Sequence, residues 1–487
     1  MRVFGAVGLP DFQTQKGIHV PIRTRVDDTC PGVLYCTPNR LFTTIRSSGP
    51  PVHMLRVVRP ATPIYLALLR RTLCTRRSVS TAHVAEEALL RQVESPVHLI
   101  TAEELPVLQD IESRVNWLAT LMIDNANNQR PKRDSIKVGG HQASSASVAT
   151  ILTVLYTKVL RPQDRVAVKP HAGPAYHALM YMMGRQTREN MEKFRSFGGV
   201  QPYPSRTKDL PDVDISTGSV GLGAALTSFT SLTEEYLRQK GLRPKVWPGT
   251  NVAPDAPGRH IAIVGDAELD EGNVFETLLE TWKLDVRNNW FIVDYNRQSL
   301  DKIMEDQSSR VIEKMFRLNG WEVLNLKFGK QLRNAFDSPG GHVLRRWINN
   351  CDNARYSALT FSGGAAWRAA LLNDPESFGG GADFHGLVSS YDDAALQSLM
   401  TNLGGHCFET LLEAFSHASQ SDARTCFIAY TIKGHGLPLA GHRDNHGLYL
   451  SSPQVLPPVQ PYHPRAPPPS TLITRPEPSP LRPDYLP

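Results

Sequence analysis

His260-Ile-Ala-Ile-Val-Gly265-Asp266-Ala267-Glu268-Leu269-Asp270-Glu271-Gly272, followed by Trp290-Phe-Ile-Val-Asp294-Tyr295-Asn296-Arg297-Gln298, decides how the chain folds. Each segment opens with a continuous apolar run, the pattern of a strand buried on both faces. Between them, Gly272–Val286 has helical periodicity. The order strand, helix, strand calls for two adjacent parallel strands joined by a crossover. Asp266 and Asn296 lie 30 residues apart, one crossover, so both fall at the carboxyl ends of neighbouring strands. Ligands of open α/β sheets sit at that edge.

The same grammar extends outward. Residues 106–124 and Val148–Leu160 read as helices, with Ser144 and Ser145 as candidate caps for the second. Arg165-Val-Ala-Val-Lys169 reads as a strand, Ala175–Gly184, Arg188–Phe197 and Gly221–Lys240 as helices. Gly320–Leu326 and Thr425–Thr431 are two more strands. The expected fold class is α/β, a doubly wound parallel sheet, over residues 105–450. Trp282, Trp321 and Trp367 are expected in the core, and His177 in a structural role.

The residues after the strands carry the chemistry. A carboxylate at Asp266, an amide oxygen at Asn296 and the carbonyl of Gln298 are hard oxygen ligands suited to Mg²⁺ holding a diphosphate. Gly265 permits close backbone approach, and the next helix N-terminus favours anions. Gly139-Gly140-His141-Gln142-Ala143-Ser144 precedes a helix, and Lys169-Pro170-His171 follows a strand. Ser216-Thr217-Gly218-Ser219-Val220-Gly221-Leu222-Gly223 is a glycine-rich loop. Thr431-Ile432-Lys433-Gly434-His435-Gly436 and Gly441-His442-Arg443-Asp444-Asn445-His446-Gly447 follow the last strand.

Together these segments resemble the thiamine-diphosphate-dependent transketolase and 2-oxoacid dehydrogenase superfamily, most of all the diphosphate-binding domain of the homodimeric, bacterial-type pyruvate dehydrogenase decarboxylating component. The resemblance implies thiamine diphosphate and Mg²⁺ as cofactors. It implies metal binding by Asp266, Asn296 and Gln298. Cofactor contacts are implied for Gly265, Asp266, Ala267, Glu268, Asn296, Gln298 and the loop Gly218, Ser219, Val220, Gly221. Catalytic duties fall to His141, His171, His446 and, with weaker support, His435. Ala267 stands where the family usually has a second glycine. Gly320-Trp321 and Asn402-Leu-Gly-Gly-His406 lie in a stretch, 320–420, that the dehydrogenase component has and transketolases lack. The implied substrate is a small 2-oxoacid or, on a transketolase-like reading, a ketose. In the family a pyrimidine-binding domain supplies an activating glutamate across a dimer. A homodimer or a partner chain supplying that domain is therefore expected, with a non-catalytic remnant or a truncated gene product as a further alternative.

The ends differ from the body. The whole chain of 487 residues has a formal net charge of +6, but residues 1–80 alone carry +9 and the remainder −3. Thr29–Ala85 contains no acidic residue and is rich in Arg, Ser and Thr. That composition, over an N-terminal region set at 1–104, is expected of a mitochondrial transit peptide; the alternatives are a basic arm on a cytoplasmic chain, or upstream sequence wrongly included by a misplaced start. Aromatic residues are not interleaved with the basic ones as single-strand binding requires, so no nucleic-acid partner is expected. Thirteen of the 37 residues from Ser451 to Pro487 are proline, so 451–487 is expected to be an unstructured tail. No apolar run approaches the length of a membrane span. The six cysteines form no metal-spaced pair.

Overall fold

The computed structural model describes residues 100–209, 212–242, 257–300, 302–374 and 381–455. The basic arm, save its last residues, and the proline-rich stretch beyond Val455 lie outside the described residues. Five strands form one parallel sheet: β1 Arg165–Ala167, β2 His260–Gly265, β3 Asn289–Tyr295, β6 Glu322–Leu326 and β7 Thr425–Tyr430, in the order β1-β2-β3-β7-β6. Two short segments, β4 Gln298–Ser299 and β5 Lys302–Ile303, make a separate antiparallel pair. The chain steps from β1 to β2 to β3, passes over β7 to the edge strand β6, and returns. The connections therefore lie on both faces, as the sequence predicts.

Among the described residues six α-helices precede β2: α1 Glu104–Asp124, α2 Gln142–Ala146, α3 Ala149–Val154, α4 Gly173–Met182, α5 Arg188–Glu192 and α6 Leu222–Gln239. The helices α7 Gly272–Lys283 and α8 Ser308–Leu318 then lead to β3 and β6. The two sheet faces alternate strictly along the strands. Ile261, Ile263, Trp290, Ile292, Phe427 and Ala429 point into one core with α1, α3, α4 and α15 (Phe408–Ala418). Ala262, Val264, Phe291, Val293, Cys426 and Ile428 point into the other, under α7 and α8. Burial on both faces is what an unbroken apolar strand requires.

Between β6 and β7 the helices α9 Lys330–Phe336, α10 Gly341–Asn350, α11 Asn353–Ser362, α12 Gly364–Asn373, α13 Gly381–Ser389 and α14 Asp393–Thr401 pack around their own core of Trp347, Trp367, Leu371, Phe384 and Met400. Asp352 and Asp392 cap α11 and α14 by accepting from Arg355 N and Ala395 N, both at 2.7 Å.

Some sequence expectations need correction. Ser144 and Ser145 do not cap a helix at Val148; they lie inside α2, which begins at Gln142. Ser145 Oγ instead donates to the carbonyl of His171 at 3.1 Å. The helix expected over Arg188–Phe197 ends at Glu192, and Arg195 adopts φ +57°. Trp321 and Trp367 are buried, but Trp282 is 56% exposed on α7. The first residues of the proline-rich stretch are folded: α16, Ser452–Val455, rests on α1, and Trp117 Nε1 donates to the Val455 carbonyl at 3.2 Å. Among the described residues no helix is long and apolar enough to cross a membrane.

Candidate functional site

Register places Asp266 and Asn296. Gly265 of β2 pairs with Asp294 of β3, and Asp294 with Ala429 of β7, so Asp266, Asn296 and Thr431 emerge side by side at one sheet edge. Asp266 Oδ2 accepts from Arg297 N at 2.7 Å and Asn296 Oδ1 from Gln298 N at 3.1 Å, which locks the two turns together. Arg297 holds φ +66°, a left-handed conformation costing roughly 1–3 kcal/mol. Its guanidinium lies over the Tyr356 ring at 4.6 Å and donates to the Thr431 carbonyl at 3.2 Å, which retains that turn.

Asp266 is 2% exposed. Burial, and then the neighbouring charge of Asp294, push its carboxyl up to about 7, against donation from the backbone amide of Arg297, the charge of Lys169 and donation from the Ala267 amide. Among the described residues no basic side chain is within ion-pair distance of it. Gln298 Oε1 is also buried without a hydrogen-bond partner. A buried carboxylate with no cation in ion-pair contact, beside amide oxygens, is the donor set of a hard divalent ion. The residues present therefore fit Mg²⁺.

Asp294 ties the edge together. Burial opposes its charge, but the ammonium of Lys169, then the hydroxyls of Thr431 and Ser147, outweigh that and hold its carboxyl below the usual range. Lys169 donates to Oδ2, as do Ser147 Oγ at 2.7 Å and Asn296 Nδ2 at 3.0 Å; Thr431 Oγ1 donates to Oδ1. One carboxylate thus fixes the ends of β1, β3 and β7. Sequence reasoning missed both Asp294 and Lys169. The signal was a lysine directly after a buried strand, where only an ion pair tolerates its charge.

Glu268 and the glycine-rich loop have distinct places. Glu268 spans two loops: its carboxylate accepts from Gly265 N at 2.9 Å and Gly221 N at 3.0 Å. Burial raises its pKa despite those donors. Gly221 has φ +79°, and a Cβ there would lie 2.7 Å from Asn273 Oδ1 and 2.8 Å from Glu271 Cβ. Glycine is required at that turn. Gly218 and Ser219 are exposed and Val220 half-buried. Ala267 has no positive φ, so its backbone does not call for glycine.

His141, His171 and His446 converge. The rings of His141 and His171 stack at 3.8 Å, and His446 lies 5.1 and 5.4 Å from them. Gly139 and Gly140, at φ +84° and +148°, turn the chain to present His141; a Cβ on Gly140 would meet Ile123 at 2.7 Å. Burial, and then the charges of His171 and His446, lower His141 to about 2; burial and then Lys169 lower His171 to about 3. Both rings are therefore neutral near pH 7. Lys433 Nζ donates to His446 Nδ1 at 3.2 Å, which leaves the proton of neutral His446 on Nε2. Lys433 was missed because His435, two residues on, drew the reading. His435 itself stands elsewhere, stacked on His406 at 3.6 Å. His177 is buried and contacts the Gln201 carbonyl at 3.2 Å, a structural role.

The fold and this edge define a class: a doubly wound α/β domain presenting a carboxylate–amide oxygen set, a glycine-rich loop and three clustered histidines at the switch side of its sheet. Residues 125–337 match the family model described as transketolase, thiamine diphosphate binding domain. The chain is 27% identical over 362 residues to the pyruvate dehydrogenase E1 component of Cupriavidus necator, covering 70% of this chain and 37% of that protein. It is 25% identical over 349 residues to the E1 component of Escherichia coli K12, covering 69% and 36%. Transketolase from Leishmania mexicana superposes with a TM-score of 0.47 at 17% identity, over 74% of this chain and 40% of that one. Residues 125–337 thus match a transketolase-type thiamine diphosphate binding domain, and the chain is similar to pyruvate dehydrogenase E1 components over about 350 residues. It spans little more than a third of the length of the curated relatives it matches.

Proposed function

We propose that this chain binds thiamine diphosphate through Mg²⁺ and forms the diphosphate half of a 2-oxoacid dehydrogenase of the pyruvate dehydrogenase type. The observation that carries the reading is Asp266: a buried carboxylate with no cation in ion-pair contact among the described residues, held next to Asn296 at the carboxyl edge of a parallel sheet. Asp266, Asn296 and the carbonyl of Gln298 would hold the metal. Gly265 and the loop Gly218–Gly221, braced by Glu268, would receive the diphosphate. When bound, the cofactor supplies a carbon nucleophile and an electron sink for decarboxylation. His446 Nε2–H, its tautomer fixed by Lys433, is a donor for an oxygen that gains charge during the reaction. His141 and His171, held neutral, can accept or pass a proton at a ring nitrogen near pH 7.

The reading includes a second half-site, the pyrimidine-binding one, from a partner chain or subunit. Exposed Leu226 and Phe229 on α6 and Phe275, Leu279 and Trp282 on α7 support association with a second copy. The acid-free arm supports a mitochondrial location. The test is an assay on the full chain mixed with a separate pyrimidine-domain chain. Pyruvate-dependent reduction of an artificial acceptor is the expected result. Ketol transfer between sugar phosphates without an acceptor would favour the transferase reading instead.

A further inference from the structure

A cavity of about 320 Å³ lies apart from the histidine and aspartate edge, between α1, the loop 435–438 and α16. That volume is at the lower end of the range for small-molecule pockets, ~300–1,000 Å³. None of Asp266, Asn296, His141, His171 or His446 lines it.

Two of its polar groups are acceptors without a cation or donor to match them. Glu112 accepts from Thr150 Oγ1, and burial pushes its carboxyl up to about 7 against that donation, so a cation beside it would favour its charged form. Among the described residues no basic side chain is within ion-pair distance of it. One turn further along α1, Asn116 is 8% exposed, and its Oδ1 has no hydrogen-bond partner. The i, i+4 spacing sets both on one helix face. His435 adds a neutral ring, its pKa lowered by burial to about 4. Trp117, Leu437, Pro438 and Val455 supply apolar walls. The only N–H of the Trp117 side chain already donates to the Val455 carbonyl, so its ring offers only its π surface.

A metal ion is the first alternative, because Glu112, His406 and His435 offer ligand atoms within 4.8 Å of one another. The tautomer of His406 argues against it. Its Nε2 accepts from Ile432 N–H at 2.8 Å, so the ring proton sits on Nδ1, which faces Thr150 Oγ1 at 3.4 Å. A neutral imidazole has one lone pair for bonding, and here the backbone already takes it. Glu112 and His435 alone fall short of the three or four protein ligands a zinc site needs.

We infer that this cavity binds a small organic ammonium ion, its charged N–H groups held by Glu112 and Asn116 Oδ1 and its apolar body lying against Trp117, Leu437 and Pro438. Such a ligand supplies both the missing counter-charge and the missing donors.

Benzylammonium and its neutral isostere benzyl alcohol are the probes, titrated into the full chain by calorimetry with saturation-transfer NMR. Benzylammonium should bind at least tenfold more tightly than the alcohol. Glu112→Gln keeps the shape and the Thr150 contact but removes the charge, and should weaken benzylammonium at least tenfold. Should Glu112→Gln fail to fold, Asn116→Leu carries the same test. Asp266→Ala should leave this affinity unchanged, separating the cavity from the cofactor edge. Equal binding of the two probes, or loss with Asp266→Ala but not with Glu112→Gln, overturns the assignment. So does tight Zn²⁺ binding that disappears in Glu112→Gln, which would make the trio a metal site.

Discussion

Lys169→Met isolates the ion pair that ties the sheet edge together. The Lys169 and Asp294 side chains are 4% and 0% exposed, so neither charge has water to fall back on. Removing one partner of a buried pair costs about 3–5 kcal/mol, because the other charge stays behind. Against a typical stability of about 5–15 kcal/mol, that is a large fraction. The loss carries a pH signature. In the native protein the carboxyl of Asp294 sits below its usual value. Its contribution is present above the unfolded pKa of about 3.9 and is lost only as pH falls through the lower folded value. Without Lys169, burial prevails and the folded pKa moves above the unfolded one. The penalty then holds at high pH and shrinks as acid protonates Asp294. Urea unfolding of both proteins at pH 7.5 and 5.0 reads this directly. The variant should lose about 3–5 kcal/mol at pH 7.5 and clearly less at pH 5.0. Lys169→Met combined with Asp294→Asn should recover part of the loss. A penalty under about 1 kcal/mol, the range of an exposed pair, or one independent of pH, would refute the reasoning.

Three further outcomes are expected. With no divalent cation present, the raised pKa of Asp266, about 7, makes stability fall as pH rises from the unfolded value through 7; three units amount to about 4 kcal/mol. Asp266→Asn should flatten that slope in urea titrations, and an unchanged slope would place the charge elsewhere. Gly221→Ala meets both a left-handed φ and the Glu271 side chain, and should cost about 1–2 kcal/mol or more in thermal unfolding; a neutral result would mean that the turn relaxes freely. Phe275→Glu with Trp282→Glu should shift sedimentation toward the monomer if α7 carries a subunit contact, whereas unchanged mass at equal concentration removes that surface from consideration.

The fold was legible because parallel strands buried on both faces cannot hide. Runs such as Ile261–Val264 and Phe291–Val293 are apolar at every position, and the helices between them leave one arrangement. Asp266 and Asn296 were legible for the same reason, since strand-end spacing converts to position. What stayed hidden depends on neighbours far away in sequence. Lys169 meets Asp294 across 125 residues, and Glu268 reaches Gly221 across 47. His435 and Lys433 share one loop, yet one stacks on His406 and the other bonds His446, because a single turn separates their directions. Trp282 reads as core by residue type, but only packing decides which helix face meets the sheet. The helices from Lys330 to Thr401 have no strand grammar, so their separate core around Trp347 and Trp367 emerges only in three dimensions.

The most direct measurement is calorimetric titration of the full chain with thiamine diphosphate, with Mg²⁺ and with a chelator, alongside Asp266→Ala. Saturable binding that needs Mg²⁺ and disappears in the variant is the expected result. Affinity retained without Mg²⁺ or with Asp266→Ala would contradict a metal-held diphosphate at the edge formed by β2 and β3.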